Sequence, residues 1–276
     1  MKPTELRAVI TGATAGLGQG LAARLAAAGA QVEFTARDAA RGAAAAQALG
    51  PKCSAITCDL SSMASVRAAA QQLARGEKPI DLLVLNAGVS GKPFQLTAEG
   101  FEYTFASNYL GHFLLVRLLL DAKALSSDAR IIVTQSTAVR RSVKADLAMA
   151  TAPTPTGFSR FGAGPSTKVL LQLMTLELTR RGTTIFGVDP GGTRTSNVNE
   201  IPALLRPVLK LLLQPLEAGV EHLVWGATTE GLERGAVYDA KHQRVKLSPH
   251  ASDAELASRA WGETERVLSK WLAPTT

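Results

Sequence analysis

The stretch "RAVITGATAGLGQGLAARLAAAGA", residues 7–30, decides the fold of this chain. It opens with a short apolar run that predicts a strand, and the glycine-rich turn "TGATAGLG" follows at residues 11–18. The alanine-rich residues after the turn predict a helix. The three glycines of the turn permit a tight bend and aim the first N–H groups of that helix at a phosphate. A strand, a glycine turn and a helix in this order indicate a site for a pyrophosphate.

The rhythm of strand, turn and helix continues along the chain. Further strands are predicted at residues 31–36, 53–60, 81–88, 130–136 and 183–192. Helices are predicted between most of them, with Asp38 as the N-cap of one and Ser61 or Ser62 as the N-cap of the next. Apolar strands that alternate with helices indicate a parallel sheet covered on both sides. We therefore predict an α/β fold, a doubly wound parallel sheet in a single domain over residues 1–276.

Two long segments interrupt this rhythm. Residues 140–163 are rich in Pro, Thr and Ser, and residues 190–215 hold apolar residues between prolines. Ligands of open parallel sheets lie beyond the carboxyl ends of the strands, so we expect both insertions to cover a substrate site as lids. The apolar side chains of the second insertion predict a small hydrophobic substrate; they are Leu204, Leu205, Val208, Leu209, Leu211, Leu212 and Leu213.

The composition disfavours several classes of protein. The net charge is +7, but the lysines and arginines are scattered, which argues against nucleic-acid binding. Cys53 and Cys58 are too few for a disulfide framework or a zinc site, so we expect reduced thiols and no metal. No apolar run has the length of a membrane span and no secretory signal is present, so we predict a cytoplasmic protein. Assembly into a homo-oligomer stays an open alternative.

Several motifs in the same order and spacing resemble one enzyme family. The motifs are "TGATAGLG" at 11–18, "LNAG" at 85–88, "GFEYTFASNYLGHFLL" at 100–115 and "VDPGGTRT" at 188–195. With them the chain resembles the short-chain dehydrogenase/reductase family, and within it the retinol dehydrogenase-like branch, from about residue 7 to residue 271. The resemblance implies a Rossmann-type fold, a nicotinamide cofactor and hydride transfer to or from a carbonyl compound.

The resemblance also implies contacts with the cofactor. Asp59 would accept a hydrogen bond from the adenine amino group, with Leu60 packed beside it. Arg37 ends the second strand, where an arginine pairs with a 2′-phosphate, so we predict NADP(H) as the cofactor. The full set of expected cofactor contacts is Gly12, Thr14, Ala15, Gly16, Leu17, Gly18, Arg37, Asp59, Leu60, Asn86, Ala87, Gly88, Lys168, Pro190, Gly191 and Thr193.

In this family an asparagine, a serine, a tyrosine and a lysine share the chemistry. Asn108 in "ASNYLGHF" matches the asparagine that anchors a water, and Ser136 matches the serine that orients the carbonyl. Lys168 in "GPSTK" matches the lysine that holds the ribose and lowers the pKa of the tyrosine. Four residues before it, where the family's Y-x-x-x-K pattern has the tyrosine, stands Gly164, and residues 150–180 contain no tyrosine.

The glycine leaves the source of the proton open. Loss of a general acid lowers a rate by about 10² to 10⁴, so catalysis survives it. We expect a phenol-sized space beside Gly164 that holds water, which relays a proton from Lys168, or part of a bulky substrate. An acidic group of the substrate is a second source. Side chains from the lids are a third, namely Arg140, Lys144, Asp146, Ser159, Arg160 and Arg194.

Four other side chains are interpreted as structural. His112 lies one helical turn after Asn108 on the same face and belongs to the "LGHF" pattern, which predicts a packed helix histidine. Tyr103, Tyr109 and Tyr238 are interpreted in the same way.

The leading hypothesis is an NADP(H)-dependent carbonyl reductase or alcohol dehydrogenase with a hydrophobic substrate, of the kind used in secondary metabolism. One alternative keeps the fold and the cofactor but catalyses a non-redox reaction, as a cyclase, dehydratase or isomerase does. Another alternative is a non-catalytic NADP-binding regulator. Asn108, Ser136 and Lys168 argue against the regulator, since a site without catalytic demand is free to lose them.

Overall fold

Seven parallel strands form one sheet at the centre of the protein. The computed structural model describes residues 6–193 and 213–273. In chain order the strands are β1 Arg7–Thr11, β2 Gln31–Ala36, β3 Cys53–Thr57, β4 Ile80–Leu85, β5 Leu125–Thr134, β6 Ile185–Val188 and β7 Val237–Tyr238. Their order in the sheet is β3-β2-β1-β4-β5-β6-β7. The predicted doubly wound parallel sheet is therefore confirmed, and the order reverses between β1 and β4.

Helices connect the strands. They are α1 Gly16–Ala27, α2 Ala39–Leu49, α3 Met63–Ala74, α4, α5 Leu147–Thr151, α6 Ala163–Arg180, α7 Leu216–Thr228 and α8 Ala254–Leu272. Helix α4 has three consecutive segments, the α-helical Tyr103–Phe105, the π-helical Ala106–Leu110 and the α-helical Gly111–Asp121. Two 3₁₀ turns, Thr137–Arg140 and His250–Ser252, complete the described helical elements.

The sheet separates two apolar cores because neighbouring residues of a strand face opposite sides. Ile10 and Val84 pack on the side that carries Leu21 of α1 and Leu223 of α7. Their neighbours in the strands pack on the other side, with α3, α4, α6 and α8; the central ones are Val9, Leu83 and Ile131. The helix after β1 and the helix after β4 thus lie on opposite faces, and a crevice opens between the loops that lead to them.

Two predicted helix caps are confirmed. Asp38 Oδ1 accepts a hydrogen bond from the backbone N–H of Arg41 at 2.7 Å at the start of α2. Ser62, and not Ser61, caps α3, because its hydroxyl oxygen accepts from the N–H of Ser65 at 3.4 Å. Cys53 and Cys58 are buried free thiols.

The two insertions differ in how far they can be described. In the first, 140–163, helix α5 and its flanking turns follow the 3₁₀ turn after β5. Of the second, 190–215, only the two ends belong to the described residues, and there Gln214 N–H donates to Gly192 O at 2.9 Å. The predicted apolar lid residues from Leu204 to Leu212 lie outside the described residues. Along the stretches that the structure does describe, no helix has the length and apolar character to cross a membrane.

Candidate functional site

A cavity of about 940 Å³ lies at the carboxyl ends of strands β1 to β6. Its walls come from the loops that follow these strands, because parallel strands end along the same edge of a sheet. Every predicted site residue except Gly18 lines it: Gly12, Thr14, Ala15, Gly16, Leu17, Arg37, Asp59, Leu60, Asn86, Ala87, Gly88, Asn108, Ser136, Gly164, Lys168, Pro190, Gly191 and Thr193. The structure thus brings residues from across the chain to one cavity, while their roles stay predictions.

The turn after β1 is shaped to hold an anion. Gly12 and Gly16 have φ angles of +69° and +64°, a left-handed conformation that favours glycine. Helix α1 starts after Ala15, which offers no side-chain cap, and its first turn has no acidic residue. The first N–H groups of the helix therefore lack a side-chain acceptor, and a phosphate is a suitable partner for them.

Gly18 has a packing role instead. A Cβ at this position would lie 2.5 Å from Gly12 O and 2.6 Å from Asn86 Nδ2. The missing side chain lets α1 approach the ends of β1 and β4 closely, and the structure does not bring Gly18 to the wall of the cavity.

Hydrogen bonds fix the turn to the neighbouring loop. Asn86 Nδ2 donates to Thr11 O at 3.0 Å and to Gly12 O at 3.1 Å. The backbone N–H groups of Asn86 and Ala87 donate to the hydroxyl oxygen of Thr11 at 2.9 and 3.0 Å. The walls of the cavity on both sides of the β1–β4 boundary are therefore held in one arrangement.

His112 supports this network from within the protein. Its Nδ1 lies 2.8 Å from Asn108 O, and a carbonyl only accepts, so Nδ1 carries the hydrogen. Its Nε2 then accepts from the Thr11 hydroxyl at 2.8 Å. Complete burial lowers the pKa of His112 to about 4, which keeps the ring neutral. The interpretation of His112 as a packed helix histidine is confirmed.

The loop after β2 carries two cations into the cavity. Arg37 lies at its wall, and its Nη1 donates to the hydroxyl of Tyr103 at 2.8 Å. Arg41, in the first turn of α2, lines the same wall. Asp38 is engaged as the cap of α2, so its carboxylate already holds the N–H of Arg41. Tyr103, interpreted from sequence as structural, therefore lines the cavity and positions Arg37.

Asp59 is fixed in the wall that the loop after β3 forms. Its Oδ1 accepts hydrogen bonds from the N–H and the hydroxyl of Ser61 at 2.9 and 2.7 Å. The bonds orient the carboxylate beside Leu60, where the sequence predicts contact with an adenine.

Lys168 extends from α6 towards the end of β5. Its Nζ donates to Thr134 O at 2.5 Å. Burial lowers the pKa of Lys168 to about 8, and the nearby carboxylate of Asp189 opposes that shift. An amine with a pKa near neutrality can both hold a hydroxyl and give up a proton.

Ser136 lies where β5 ends. Its hydroxyl oxygen accepts from the N–H of Ala138 at 3.2 Å and so begins the 3₁₀ turn. Its neighbour Gln135 donates through Nε2 to Lys168 O at 3.3 Å, which ties the end of β5 to α6. The Ser136 hydroxyl retains its hydrogen for donation to a ligand in the cavity.

Asn108 lies in the π-helical segment of α4 and is almost fully buried. Its Oδ1 accepts from Val89 N–H and its Nδ2 donates to Val89 O, both at 2.8 Å. Nδ2 also donates to Thr167 Oγ1 at 3.1 Å, and that hydroxyl donates to Gly164 O at 2.7 Å. One side chain therefore connects the loop after β4 with the first turn of α6.

Gly164 lines the cavity, and the Ser90 side chain lies beside it. A Cβ at this position would lie 2.8 Å from Ser90 Oγ and 3.3 Å from Ser90 Cβ. The first atom of a side chain at position 164 would therefore meet the Ser90 hydroxyl, while the phenol-sized space beyond that atom stays a prediction. A larger residue at position 164 requires Ser90 to move.

The candidate proton donors of the first lid lie elsewhere. None of the five lines the cavity; they are Arg140, Lys144, Asp146, Ser159 and Arg160. Arg140 pairs with the buried Asp189 at 3.1 Å, and Arg160 Nε donates to Gly91 O. The sixth candidate, Arg194, lies outside the described residues.

Sequence reasoning missed further cavity residues. Among them are Arg41, Ser90, Tyr103 and Ser107. Arg41 follows Arg37 by four residues, a spacing that was visible in the sequence. Ser90 carries no comparable signal, since its importance comes from its contact with residue 164. In the part of the chain that the structure describes, no group of three or more His, Cys, Asp or Glu side chains could hold a metal ion.

Comparison with known proteins agrees with this geometry. A family model described as "short chain dehydrogenase" matches residues 7–204. Retinol dehydrogenase 13 of Mus musculus is 32% identical to this chain over 286 residues, which cover 96% of this chain and 84% of the relative.

Solved structures show the same fold. A crystal structure of a protein from Mycobacterium paratuberculosis is 27% identical, with a TM-score of 0.76 over 98% of this chain and 97% of that one. A blue fluorescent protein from a metagenomic library, solved in complex with NADPH, is 25% identical, with a TM-score of 0.68 over 87% of this chain and 97% of that one.

Proposed function

The chain belongs to the short-chain dehydrogenase family, and from this premise we propose that it is an NADP(H)-dependent oxidoreductase that interconverts a hydrophobic carbonyl compound and its alcohol. The family is one of oxidoreductases that use nicotinamide cofactors. One observation carries the proposal: a single cavity is lined both by the anion-binding turn after β1 and by Asn108, Ser136 and Lys168.

The residues present fit a dinucleotide with a 2′-phosphate. The free N–H groups at the start of α1 suit a pyrophosphate, and Asp59 suits an adenine amino group. Arg37 and Arg41 supply two positive charges to the wall beside the end of β2. The only acid of that loop, Asp38, is occupied as a helix cap, which favours a phosphate over a free ribose hydroxyl. Proteins of this fold have been solved with NADH as well as with NADPH, so the choice rests on the arginines of this chain.

The side chains at the other end of the cavity suit carbonyl chemistry. When bound, the nicotinamide supplies the hydride for the carbonyl carbon. The Ser136 hydroxyl donates a hydrogen bond to the carbonyl oxygen and stabilises the negative charge that forms there. Lys168 holds the ribose hydroxyls, and its ammonium supplies the proton for that oxygen through them or through water. Since its pKa is about 8, most of the amine carries that proton at pH 7.

The substrate class is argued from the sequence of the second insertion. Its leucines between residues 204 and 213 would give the substrate an apolar contact. The name of the relative, retinol dehydrogenase, refers to an apolar alcohol of this kind. We therefore place long-chain and ring ketones, and retinaldehyde, in the substrate panel.

Oxidation of NADPH with this panel, followed by absorbance, tests the proposal. The expected result is turnover with at least one apolar carbonyl compound, and a lower rate with a small polar ketone. NADPH binding is measured in parallel by fluorescence titration. If the protein binds NADPH but oxidises none of it with any compound, the reductase assignment is wrong.

The glycine at position 164 favours a second candidate, a non-redox catalyst on the same fold. Because no side chain of residue 164 can donate a proton, the cavity would act by positioning a substrate while the cofactor stays unchanged. Conversion of a substrate without any change in NADPH absorbance would support this candidate, and binding of NADPH with no conversion at all would leave the regulator.

A further inference from the structure

The hydroxyl of Ser90 lies beside the start of α6, at the place where a side chain of residue 164 would begin. Its Oγ is 2.8 Å from the position of a Cβ on Gly164, and Val89 O is 3.7 Å from that position. Both Ser90 and Gly164 line the cavity together with Asn108, Ser136 and Lys168. The glycine thus admits the serine hydroxyl to the catalytic end of the cavity.

The loop holds the backbone that carries this hydroxyl in position. Asn108 fixes both backbone groups of Val89, at 2.8 Å each, and Arg160 donates to Gly91 O on the other side of the serine. Because both neighbours of Ser90 are anchored, its side chain has little freedom apart from rotation about χ1. Donors that are held in place before a ligand arrives contribute most to catalysis.

The hydroxyl is also available. Ser90 is half-buried, and it forms no hydrogen bond with any residue in 6–193 or 213–273. A donor that faces a cavity and has no protein partner is suited to a ligand oxygen. The side chains of the first lid do not line this cavity, as described above.

We propose that Ser90 is a substrate-binding residue of this site, whose hydroxyl donates a hydrogen bond to the oxygen of the substrate beside Gly164. The inference rests on the proposed carbonyl chemistry. The serine keeps its proton: it stabilises the oxygen as negative charge forms on it, while the proton that completes the alcohol comes from Lys168. Together with Ser136, the serine would hold the carbonyl from a second side.

The kinetics of Ser90→Ala test the inference. Loss of a positioned donor predicts a fall in kcat of about tenfold to hundredfold, because the hydrogen bond strengthens as charge forms. The dissociation constant of NADPH should stay within about twofold. Ser90→Thr, which restores a hydroxyl, should recover most of the activity. Ser54→Ala, at an exposed serine of β3, is the matched control and should behave as the unmutated protein.

A double-mutant cycle, measured by Tm, tests the contact itself without any substrate. The change in Tm caused by Gly164→Ala should be less favourable in the native background, where its Cβ meets Ser90 Oγ, than in a Ser90→Gly background. Equal changes in both backgrounds would overturn the contact.

The outcomes separate the two proposals. If the unmutated protein reduces carbonyl compounds and Ser90→Ala has unchanged kcat and KM, the inference is wrong and the proposed function stands. If the unmutated protein reduces none, the proposed function fails and the role of Ser90 fails with it.

Discussion

Arg37 is the residue through which the cofactor preference can be measured. Its guanidinium is exposed at the wall of the cavity and is held by the Tyr103 hydroxyl. We expect NADPH to bind at least tenfold more tightly than NADH, about 1.4 kcal/mol. Arg37→Ala should remove most of this difference by weakening NADPH binding while NADH binding changes little. Fluorescence titration with both cofactors measures it.

The control for this change is Arg75→Ala. Arg75 is an exposed arginine that caps the C-terminus of α3 and lies outside the cavity. The variant carries the same loss of charge and should leave both dissociation constants unchanged. Equal affinity for the two cofactors in the unmutated protein would show that Arg37 does not select a phosphate.

Lys168 predicts the pH profile of reduction. Its pKa of about 8 means that the ammonium is present below pH 8 and is lost as the pH rises through that value. The rate of carbonyl reduction at saturating NADPH should therefore fall above pH 8. In Lys168→Arg the guanidinium stays protonated, so the fall near pH 8 should disappear at a lower overall rate. A profile that keeps its fall near pH 8 in the arginine variant would assign it to another group.

Individual residues were predictable from sequence where a local rule applied. Asp38 and Ser62 follow from capping, and the cavity-lining residues Arg37 and Ser136 follow from their places at strand ends. Ser90 was not predictable, because its position depends on a contact between two segments far apart in the chain. The sequence showed that position 164 has no side chain, and the structure adds that Ser90 lies beside it.

At the scale of elements, two helical glycines provide a matched pair. A Cβ on Gly111 in α4 would lie 2.2 Å from Leu60 O, whereas a Cβ on Gly262 in α8 would meet no atom within 4 Å. Gly111→Ala should destabilise the protein by roughly 1–3 kcal/mol, the range for overpacking, because a backbone carbonyl must move. Gly262→Ala should be neutral or stabilise by up to about 1 kcal/mol, since alanine is the better helix former.

Urea unfolding of both variants measures the difference. Equal effects would mean that α4 has room to shift away from the loop after β3, and the close packing described for this helix would be wrong.

His112 in helix α4 should make the protein less stable in acid. The pKa of His112 is about 4 in the folded protein and about 6.5 when unfolded, so the unfolded chain binds more protons between these values. The free energy of unfolding should fall by about 3 kcal/mol as the pH drops from 6.5 to 4, with no further loss from this group below pH 4. His112→Gln, which cannot titrate, should be less stable at pH 7 but should lose less on acidification.

Urea unfolding at several pH values between 7 and 4 tests this expectation. Parallel slopes for the two proteins would show that carboxylates, and not the histidine, control the acid response.

Most of the elements were predictable because their apolar runs are long. Six of the seven strands were predicted. The seventh, Val237–Tyr238, was missed because two residues are too few to show a periodic pattern of apolar side chains. The motif at 100–115 indicated one helix, but its π-helical segment, which contains Asn108, was not predicted. No local sequence pattern predicts such a change from α-helical to π-helical hydrogen bonding.

At the scale of the whole molecule, cofactor binding should stabilise the fold. The proposed contacts come from loops that follow six strands, so a bound dinucleotide joins most of the sheet edge. NADPH at about 100 times its dissociation constant should add about 2.7 kcal/mol, which raises Tm by roughly 5–10 °C. NADH at the same concentration should raise it less. Differential scanning fluorimetry with both cofactors decides the matter.

Some whole-molecule predictions stay predictions. The extent of the single domain, the assembly into a homo-oligomer and the cytoplasmic location depend on surfaces and segments for which the sequence offers only composition. The second lid is in the same position, because residues 194–212 lie outside the described residues.

The order of the strands has a consequence for synthesis on the ribosome. From β1 the sheet grows outwards, first through β2 and β3 on one side and then through β4, β5, β6 and β7 on the other. Each newly emerged strand therefore finds its neighbour already made, and translation builds the sheet without waiting for a distant partner. Until β4 leaves the exit tunnel, however, one edge of β1 is unpaired, and at that stage the edge is a template on which a strand of another molecule could pair.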